Sequence, residues 1–466
     1  MSRRRGLWLV VGTFVAVVVV AIAAGLAVPK IQGHTDSIIT TPPTKTNDVP
    51  KVSRAAPADE PGQLVAFGLD RALVPGWQVT AGSLGLPADT SIGGRPFATR
   101  GHFAYFLADC AENCTAKTWL FGIDTHSGEA LFAPVELPDF PGSRFGTCMR
   151  NGPARALCLP YGQGHDGKTG VTVVDLDRGA VSFTGDAEFD GGFDGVVATA
   201  AVGGHPIWLA ASAPGEGLRG IGEHAELTWF VPGDGAEPNK PQSSGTSATV
   251  AVQLASTKDP AYRVFSVSDG HELTPTPPPG TALKRAVTYP AGFAYQFESG
   301  PTAGVLFYDN TGRLLARREL TGYGVYAIDS VLIAMDRDVF RVFQPDGGEV
   351  ATIPVTRNTP SSFRNVGSQL YVPISDKPND HRWQRWDLAT GASGQACGVD
   401  LADYVAGKAS VVLTTTDSPN GINLVATDMA TCRVLWRQPV DYNGVFQVGD
   451  ALVGYRFDQL TGLRAP

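Results

Sequence analysis

Six cysteines are the residues of this chain whose type and spacing most directly predict chemistry. They are Cys110, Cys114, Cys148, Cys158, Cys397 and Cys432. An even set in a chain outside the cytoplasm is typical of a disulfide framework, although six cysteines allow fifteen pairings. We favour Cys148–Cys158, because the intervening MRNGPARAL contains a turn signal and its flanks resemble adjacent strands.

Two further disulfide pairs are candidates. Cys397 and Cys432 lie in successive repeats of the sequence, and Cys110–Cys114 would close a short loop. A cysteine-based metal site is not predicted, because the chain has no CxxC motif and no histidine at ligand spacing from a cysteine. We therefore expect disulfides, no metal and no cofactor.

Motifs of catalysis are sparse. The sequence has no GxSxG, HExxH or P-loop motif, and its eight histidines are scattered, with His126 in a predicted turn and His165 in a glycine-rich loop. The segment 215–220, GEGLRG, matches GxGxxG after a strand-like run. The residues that follow are too short and glycine-broken for the helix that holds a pyrophosphate. We interpret this segment as a hairpin loop.

One local cluster has the composition of an interaction surface. Arg382, Trp383, Arg385 and Trp386 lie next to the polar loop 375–381. Arg and Trp are enriched at interface hot spots. A plain strand whose arginines face solvent explains the same pattern and is the simpler interpretation. As a binding surface, these four residues are the candidate interaction patch.

The N-terminal sequence predicts where such residues act. Residues 7–28 are 22 residues without a charge, preceded by Arg3, Arg4 and Arg5. At about 1.5 Å per residue this run spans a hydrocarbon core of about 30 Å. The basic flank places residues 1–6 in the cytoplasm and the rest outside. A cleaved signal peptide is the alternative, and it would make the protein secreted.

The next segment predicts a tether. Residues 29–62 are rich in Pro, Thr, Ser and Asp and have few large apolar groups, so we expect a flexible linker before a domain at 63–466. The first 30 residues carry four of the 37 basic residues and no acid, which leaves 33 basic and 45 acidic residues and a net charge of −12. This acidic body argues against nucleic-acid binding.

From about residue 64, short strand-like runs alternate with turns. Gly 55 and Pro 34 make up about 19 % of the chain against a usual ~12 %, and long helical patterns are absent. The turn aspartates Asp269, Asp309, Asp346, Asp387 and Asp428 are spaced 40, 37, 41 and 41 residues apart. A period near 40 with one hairpin per unit is typical of a four-stranded propeller blade.

These repeats predict an all-β fold, a single β-propeller of about eight blades, with seven or nine possible. In each hairpin the Asp side chain accepts backbone N–H groups two residues on, and Gly allows the positive φ of the turn. Alternate residues such as Val305 and Phe307, or Phe340 and Val342, then face a neighbouring blade. Segments 64–79 and 452–465 are partial units, and we expect them to complete one blade together.

The repeat resembles that of the quinoprotein-dehydrogenase-like propellers, whose consensus is apolar-x-D-x-x-T-G-x-x-x-W. The matching stretches are IDTHSGEALF (123–132), YDNTGRLLA (308–316), WDLATGASG (386–394) and TDMATCRVLW (427–436). Of these, only the last keeps the terminal Trp, at Trp436. The family includes pyrroloquinoline-quinone alcohol dehydrogenases and the propeller lipoprotein of the outer-membrane β-barrel assembly machinery.

This resemblance implies the fold and, for the enzymes, a pair of neighbouring cysteines, a tryptophan floor and Ca²⁺ ligands. The chain has no Cys-Cys dipeptide and no Asp-rich calcium loop. We therefore expect a membrane-anchored extracytoplasmic propeller that binds a protein partner of the bacterial cell envelope, without catalysis. The alternative is a propeller enzyme or small-molecule sensor that uses the central channel, such as a quinoprotein-like oxidoreductase.

Overall fold

Short antiparallel strands make up nearly all of the regular structure. The protein is described by a computed structural model over residues 64–110, 117–138, 146–160, 169–189, 195–202, 205–236, 247, 249–256, 261–322, 324–355, 362–374, 382–418, 421–456 and 458–466. All of these residues lie within the unit Ser53–Pro466. The predicted span 7–28 and tether 29–62 lie outside the described residues.

The first half of the propeller contains the following elements. The described chain opens with β1 (Val74–Thr80) and a short 3₁₀ helix, Gly82–Leu84. Blade 1 has β2 (Thr90–Ile92), β3 (Ala98–Arg100), β4 (Phe103–Cys110), β5 (Thr118–Asp124) and β6 (Val135–Leu137); blade 2 has β7 (Gly146–Arg150), β8 (Arg155–Pro160), β9 (Gly170–Asp175) and β10 (Ala180–Asp186). Blade 3 has β11 (Val196–Val202), β12 (His205–Ala213), β13 (Gly217–Ile221) and β14 (Leu227–Pro232); blade 4 has β15 (Val250–Leu254) and β16 (Tyr262–Ser266).

The second half continues the pattern. Blade 5 has β17 (Ala282–Tyr289), β18 (Gly292–Ser299), β19 (Thr302–Asp309) and β20 (Leu314–Leu320); blade 6 has β21 (Val325–Ile328), β22 (Val331–Asp336), β23 (Val339–Phe343) and β24 (Glu349–Pro354). Blade 7 has β25 (Arg364–Val366), β26 (Gln369–Pro373), β27 (Arg382–Asp387) and β28 (Ser393–Gly398); blade 8 has β29 (Tyr404–Lys408), β30 (Val411–Ser418), β31 (Gly421–Asp428) and β32 (Arg433–Val440). Blade 9 has β33 (Gly444–Val448), β34 (Ala451–Arg456), β35 (Gln459–Arg464) and, as its fourth strand, β1.

The described residues thus form nine sheets, the upper of the counts that the sequence left open. Seven sheets have four strands, blade 1 has five and blade 4 has two. The first strands of neighbouring sheets lie side by side, as β17 does with β21 and β29 with β33. Each blade therefore runs from its first strand near the axis to its fourth strand at the rim.

Nine hydrophobic clusters hold the sheets together, and each cluster is shared by two successive blades. They occur at the junctions of blades 1 and 2, 2 and 3, 3 and 4, 4 and 5, 5 and 6, 6 and 7, 7 and 8, 8 and 9, and 9 and 1. Since the last cluster returns to blade 1, the ring is closed. Burying one Val, Leu, Ile or Phe side chain contributes roughly 1.5–3 kcal/mol, so these clusters supply most of the stabilisation.

Strand alternation decides which cluster a side chain joins. On β19, Val305 and Phe307 lie in the core between blades 5 and 6, whereas Leu306 and Tyr308 lie in the core between blades 4 and 5. The side chains of Phe340 and Val342 lie between blades 6 and 7. The predicted alternation is confirmed, because successive side chains of a strand point to opposite faces of its sheet.

The two ends of the domain close the ring by strand pairing. The N-terminal strand β1 is antiparallel to β35, with Val79 opposite Leu460 and Thr80 opposite Gln459. The prediction that segments 64–79 and 452–465 complete one blade is therefore confirmed. This pairing joins the start of the described chain to its last strand.

Candidate functional site

One end of every blade carries two kinds of turn. We call the turn between the first and second strands the inner turn, the turn between the third and fourth strands the outer turn, and this side of the ring the turn face. Antiparallel strands reverse direction at each step, so both turns of a blade lie at the same end. The turn face is therefore where residues distant in sequence come together.

The outer turns are organised by aspartates, as the sequence predicted. In blade 1 the backbone N–H of His126 donates to Asp124 Oδ1 at 2.9 Å. The same bond, from the residue two positions on, is accepted by Asp175, Asp269, Asp309, Asp346, Asp387 and Asp428. These bonds replace part of the solvation of the turn and fix the direction in which the fourth strand leaves.

The aspartates do not all occupy equivalent positions in their turns. Asp309, Asp387 and Asp428 end the third strand, whereas Asp269 and Asp346 come three residues after the strand ends at Ser266 and Phe343. The nearly even spacing of the aspartates therefore combined two turn positions. The true repeat is less regular, because outer turns differ in length.

Hydrogen bonds to these carboxylates lower their pKa values. The Thr311 hydroxyl and the Arg313 guanidinium hold the pKa of Asp309 far below its usual range. The side-chain amide of Gln369 and the N–H groups of Ala389 and Thr390 lower the pKa of Asp387. The turns are therefore built for ionised aspartates at neutral pH.

Four outer turns bring a residue with positive φ to the fourth position after the first turn residue. In blade 1 this residue is Gly128, with φ 76°, and its N–H donates to Asp124 O. The indole of Trp77, from the fourth strand of blade 9, lies so close to Gly128 that an added Cβ would be 2.7 Å from the ring. Trp77 Nε1–H also donates to Thr125 O at 2.8 Å.

The same contact recurs at other junctions. Phe132 of blade 1 lies against Gly179 of blade 2, and Trp229 of blade 3 lies against Gly270 of blade 4. Both glycines have positive φ and occupy the position of Gly128. Glycine is needed here twice, for the backbone conformation and for the close approach of an aromatic ring.

Between blades 7 and 8 a disulfide occupies the same place. Cys432 lies four residues after Asp428, has φ 57°, and is bonded to Cys397 on the fourth strand of blade 7. The Cα atoms are 5.1 Å apart. The predicted pairing of these two cysteines is confirmed, and its structural effect is to bond two blades covalently.

The other predicted disulfides have different outcomes. Cys148 and Cys158 are bonded and lie directly opposite each other on β7 and β8, which confirms the favoured pair. Cys110 is also disulfide-bonded. Its predicted partner Cys114 lies outside the described residues, and so does His165.

At the ring closure, two histidines and two aspartates meet on the turn face. We call His102, Asp124, His126 and Asp450 the closure cluster. His102 Nε2 lies 3.8 Å from Asp124 Oδ2, and His126 Nε2 lies 2.6 Å from Asp450 Oδ1. The two imidazoles stack with centroids 4.4 Å apart and planes at 12°. Imidazole and carboxylate groups in this arrangement can share protons or bind a metal ion.

The closure cluster is assembled from three turns. His102 is in the inner turn of blade 1, Asp124 and His126 are in its outer turn, and Asp450 is in the inner turn of blade 9. Its side chains range from 9 % exposed for Asp124 to 47 % for His126. Sequence reasoning identified His126 only as a turn residue. The available signal was the hairpin register, which places Phe103 opposite Asp124 and hence His102 beside the outer turn.

The four residues of the candidate interaction patch do not form one exposed surface. On β27, only Arg382 is exposed. Trp383 is buried between blades 7 and 8, opposite Cys397, and Trp386 packs against the core between blades 6 and 7. A register shift between Gln384 and Trp386 accounts for the two tryptophans facing opposite sides. The charge of Arg385 helps to lower the pKa of Asp428 in the next blade.

The GxGxxG segment is a hairpin, as predicted. Gly215 lies in the turn between β12 and β13, and Gly217 to Gly220 belong to β13. Nearby, a cavity of about 200 Å³ opens between blades 2, 3 and 4 and is lined by Trp208, Trp229 and the Arg155–Glu223 ion pair, among others. The side chain of Asn151 at its base is fully used, since its amide donates to Ile221 O and its oxygen accepts from Leu209 N–H.

A second titratable group lies in the inner turn of blade 6. Burial raises the pKa of Asp329 to about 6, against the opposing charge of Arg364. Arg364 is in turn held by Leu401 O and Ala402 O and lies over the ring of Tyr404. This group therefore titrates nearer to neutral pH than the outer-turn aspartates do.

Nine blades, the shared cores and the paired terminal strands define a closed β-propeller with its chain ends joined in blade 9. The chain belongs to the family of conjugation-associated nine-bladed β-propeller domains, which matches residues 50–466. It is also 30 % identical to an uncharacterised protein of Mycolicibacterium smegmatis (strain MKD8), over 97 % of this chain and 95 % of that protein.

Solved structures of other propellers resemble it distantly. BamB from Moraxella catarrhalis aligns over 84 % of this chain and all of that chain, with 11 % identity and a TM-score of 0.29. A eukaryotic initiation factor aligns over 77 % of this chain and 97 % of that chain, with 11 % identity and a TM-score of 0.40. Within the described part of this chain, no helix is long and apolar enough to span a membrane.

Proposed function

We propose that this protein is a membrane-anchored, extracytoplasmic propeller that serves as a protein-binding scaffold of a conjugative DNA-transfer apparatus in the bacterial cell envelope. The observation that carries this proposal is the match of the whole propeller, residues 50–466, to a family described as conjugation-associated. The uncharged run at residues 7–28 with its basic flank supports the anchor.

The architecture supports a binding role over a catalytic one. Every pair of successive blades shares a buried core, and one pair is disulfide-bonded, so the loops are presented on a stiff ring. Binding residues commonly lie on loops that a rigid scaffold positions. An anchor would raise the local concentration of this ring at the membrane and so favour assembly with a membrane complex.

We also infer that the repeats are of the quinoprotein-dehydrogenase-like type. The terminal Trp of that consensus, Trp436, donates from Nε1 to Leu69 O at 2.8 Å, and so reaches from blade 8 to the segment preceding β1 of blade 9. Trp77 makes the equivalent bond from blade 9 to blade 1. This relation concerns the fold of the repeat, and we do not extend it to a quinone cofactor.

The proposal is tested by purifying the full-length chain, tagged at its C-terminus, from native membranes in mild detergent. We expect stoichiometric co-purification of conjugation proteins, identified by mass spectrometry. The matched control replaces residues 1–28 by a cleavable secretion signal, which exports the same propeller without an anchor and should lose those partners. A chain that purifies alone with a quinone absorption spectrum would overturn the scaffold proposal in favour of an oxidoreductase.

A genetic measurement complements the purification. Deleting the gene in a donor strain should reduce the conjugation frequency, and the full-length chain should restore it while the unanchored chain does not. An unchanged conjugation frequency in the deletion strain contradicts the conjugative role. Recovery of activity with the unanchored chain contradicts the anchor alone.

A further inference from the structure

We propose that His102, Asp124 and His126 bind a divalent transition-metal ion of the Zn²⁺ type, with Asp450 as the hydrogen-bond partner of His126. One ligand atom from each of the three side chains lies within 4.8 Å of one from each of the others. Tetrahedral Zn²⁺ with bonds of about 2.1 Å places its ligand atoms about 3.4 Å apart. The 3.8 Å separation of His102 Nε2 and Asp124 Oδ2 is already close to that value.

The backbone holds two of these ligands in place. Asp124 Oδ1 accepts the N–H of His126, so Oδ2 is the oxygen turned toward His102. The carbonyl of His102 accepts both the N–H and the hydroxyl of Thr125, at 2.9 and 2.6 Å. The inner and outer turns of blade 1 are therefore locked to each other, and metal binding requires only small side-chain movements.

Asp450 supplies the arrangement that metal-binding histidines commonly have. With Nε2–H of His126 donated to Asp450 Oδ1 at 2.6 Å, the neutral imidazole keeps its lone pair on Nδ1. A carboxylate in this position orients the ring and raises its basicity toward a metal. The partner comes from blade 9, so an ion bound by blade 1 is coupled to the ring closure.

The donor set selects the class of metal. Two imidazoles and one carboxylate suit Zn²⁺ and its transition-metal neighbours, whereas Ca²⁺ requires six to eight oxygen ligands. The site is on the turn face, with His126 and Asp450 accessible to solvent, so an ion can enter without unfolding. This inference does not depend on the identity of any protein partner.

The test uses the full-length chain, stripped with a chelator and titrated with ZnCl₂ by calorimetry, with metal content measured by mass spectrometry. We expect one Zn²⁺ per chain and a Tm raised by a few °C. His126→Gln and His102→Gln should each weaken binding by at least about 100-fold, since each removes a ligand. Asp450→Asn should weaken it by about 10–100-fold.

His271→Gln is the matched control. His271 is exposed and donates its N–H to Asp269, as His126 does to Asp124, but lies in the outer turn of blade 4. It should bind Zn²⁺ like the wild type. The proposal is overturned if the wild-type chain binds no Zn²⁺, or binds it no more tightly than His126→Gln, because the cluster is then only a pair of His–Asp contacts. Equal binding of Ca²⁺ would overturn the assigned class. His126→Gln decides the outcome if His102→Gln does not fold, since His126 lies in an exposed turn.

Discussion

The junction of blades 9 and 1 and the junction of blades 7 and 8 bring the same two positions together by different chemistry. In both, the fourth strand of one blade meets the outer turn of the next. At the first junction Trp77 lies on Gly128 and bonds to Thr125 O. At the second junction Cys397 is bonded to Cys432.

The comparison shows what each solution requires of the backbone. A turn residue with positive φ is unfavourable for any side chain, by roughly 1–2 kcal/mol, and glycine avoids that strain. Gly128 leaves room for an indole, whereas Cys432 accepts the strained conformation and gains a covalent bond. The closure at blades 9 and 1 relies on strand pairing and aromatic packing, together with the contact between His126 and Asp450.

The largest effect is expected from removing the disulfide between blades 7 and 8. Its sequence separation is 35, so the double variant Cys397→Ala/Cys432→Gly should lose about 3–4 kcal/mol of the free energy of unfolding by the loop-entropy argument. The control, Cys148→Ala/Cys158→Ala, opens a separation of 10 and should lose about 2–3 kcal/mol. Thermal unfolding under non-reducing conditions measures both, and the reverse order would contradict the entropic account.

At the other junction, Trp77→Ala should lose about 3 kcal/mol, because it removes the ring packed on Gly128 and Gly462 and opens a cavity. Trp77→Phe keeps most of the packing and loses the bond to Thr125 O, so it should lose only about 1 kcal/mol. Urea denaturation of the two variants measures the difference. If both variants were equally destabilised, the hydrogen bond and not the packing would dominate.

A third pair of variants separates backbone strain from close approach. Gly128 and Gly215 have similar φ, 76° and 80°, but an added Cβ at Gly128 meets Trp77, whereas nothing lies within 4 Å of one at Gly215. Gly215→Ala should lose about 1 kcal/mol from strain, and Gly128→Ala about 2–3 kcal/mol from strain and overlap. Equal losses in urea denaturation would show that Trp77 moves aside freely.

The smallest effect concerns pH at the junction of blades 7 and 8. Burial opposes ionisation of Asp428, but the Ser410 hydroxyl, the Ala430 N–H and the Thr431 hydroxyl together lower its pKa. A lowered folded-state pKa contributes stability above the unfolded value near 3.9, and this contribution is lost as pH falls through the folded pKa.

Asp428→Asn should therefore lower Tm by about 1–2 °C at pH 7 and leave it unchanged near pH 2. Asp417→Asn, which removes an exposed carboxylate of the same blade, is the control and should show no such dependence. Scanning calorimetry across this pH range measures both. A constant Tm difference between wild type and Asp428→Asn at all pH values is the result that contradicts the ionised turn.

Local features of this fold were predictable from the sequence because they depend on neighbours along the chain. The Asx bonds of Asp387 and Asp428, the alternation along β19 and the Cys148–Cys158 pair each involve one hairpin. The blade count was not predictable to one unit. Outer turns vary in length, and blade 4 shows only two described strands, so the period near 40 residues was blurred.

By itself, the sequence determined a ring of Asp- and Gly-turned hairpins whose two ends share a blade, because turn chemistry and period-two patterning are local properties. Only the tertiary structure decided which side chains meet between blades. It separated Trp383 from Trp386 into different cores, and it brought His102 and His126 beside Asp450, more than 300 residues away in sequence. Such contacts depend on the number and rotation of the blades between them, which no local pattern encodes.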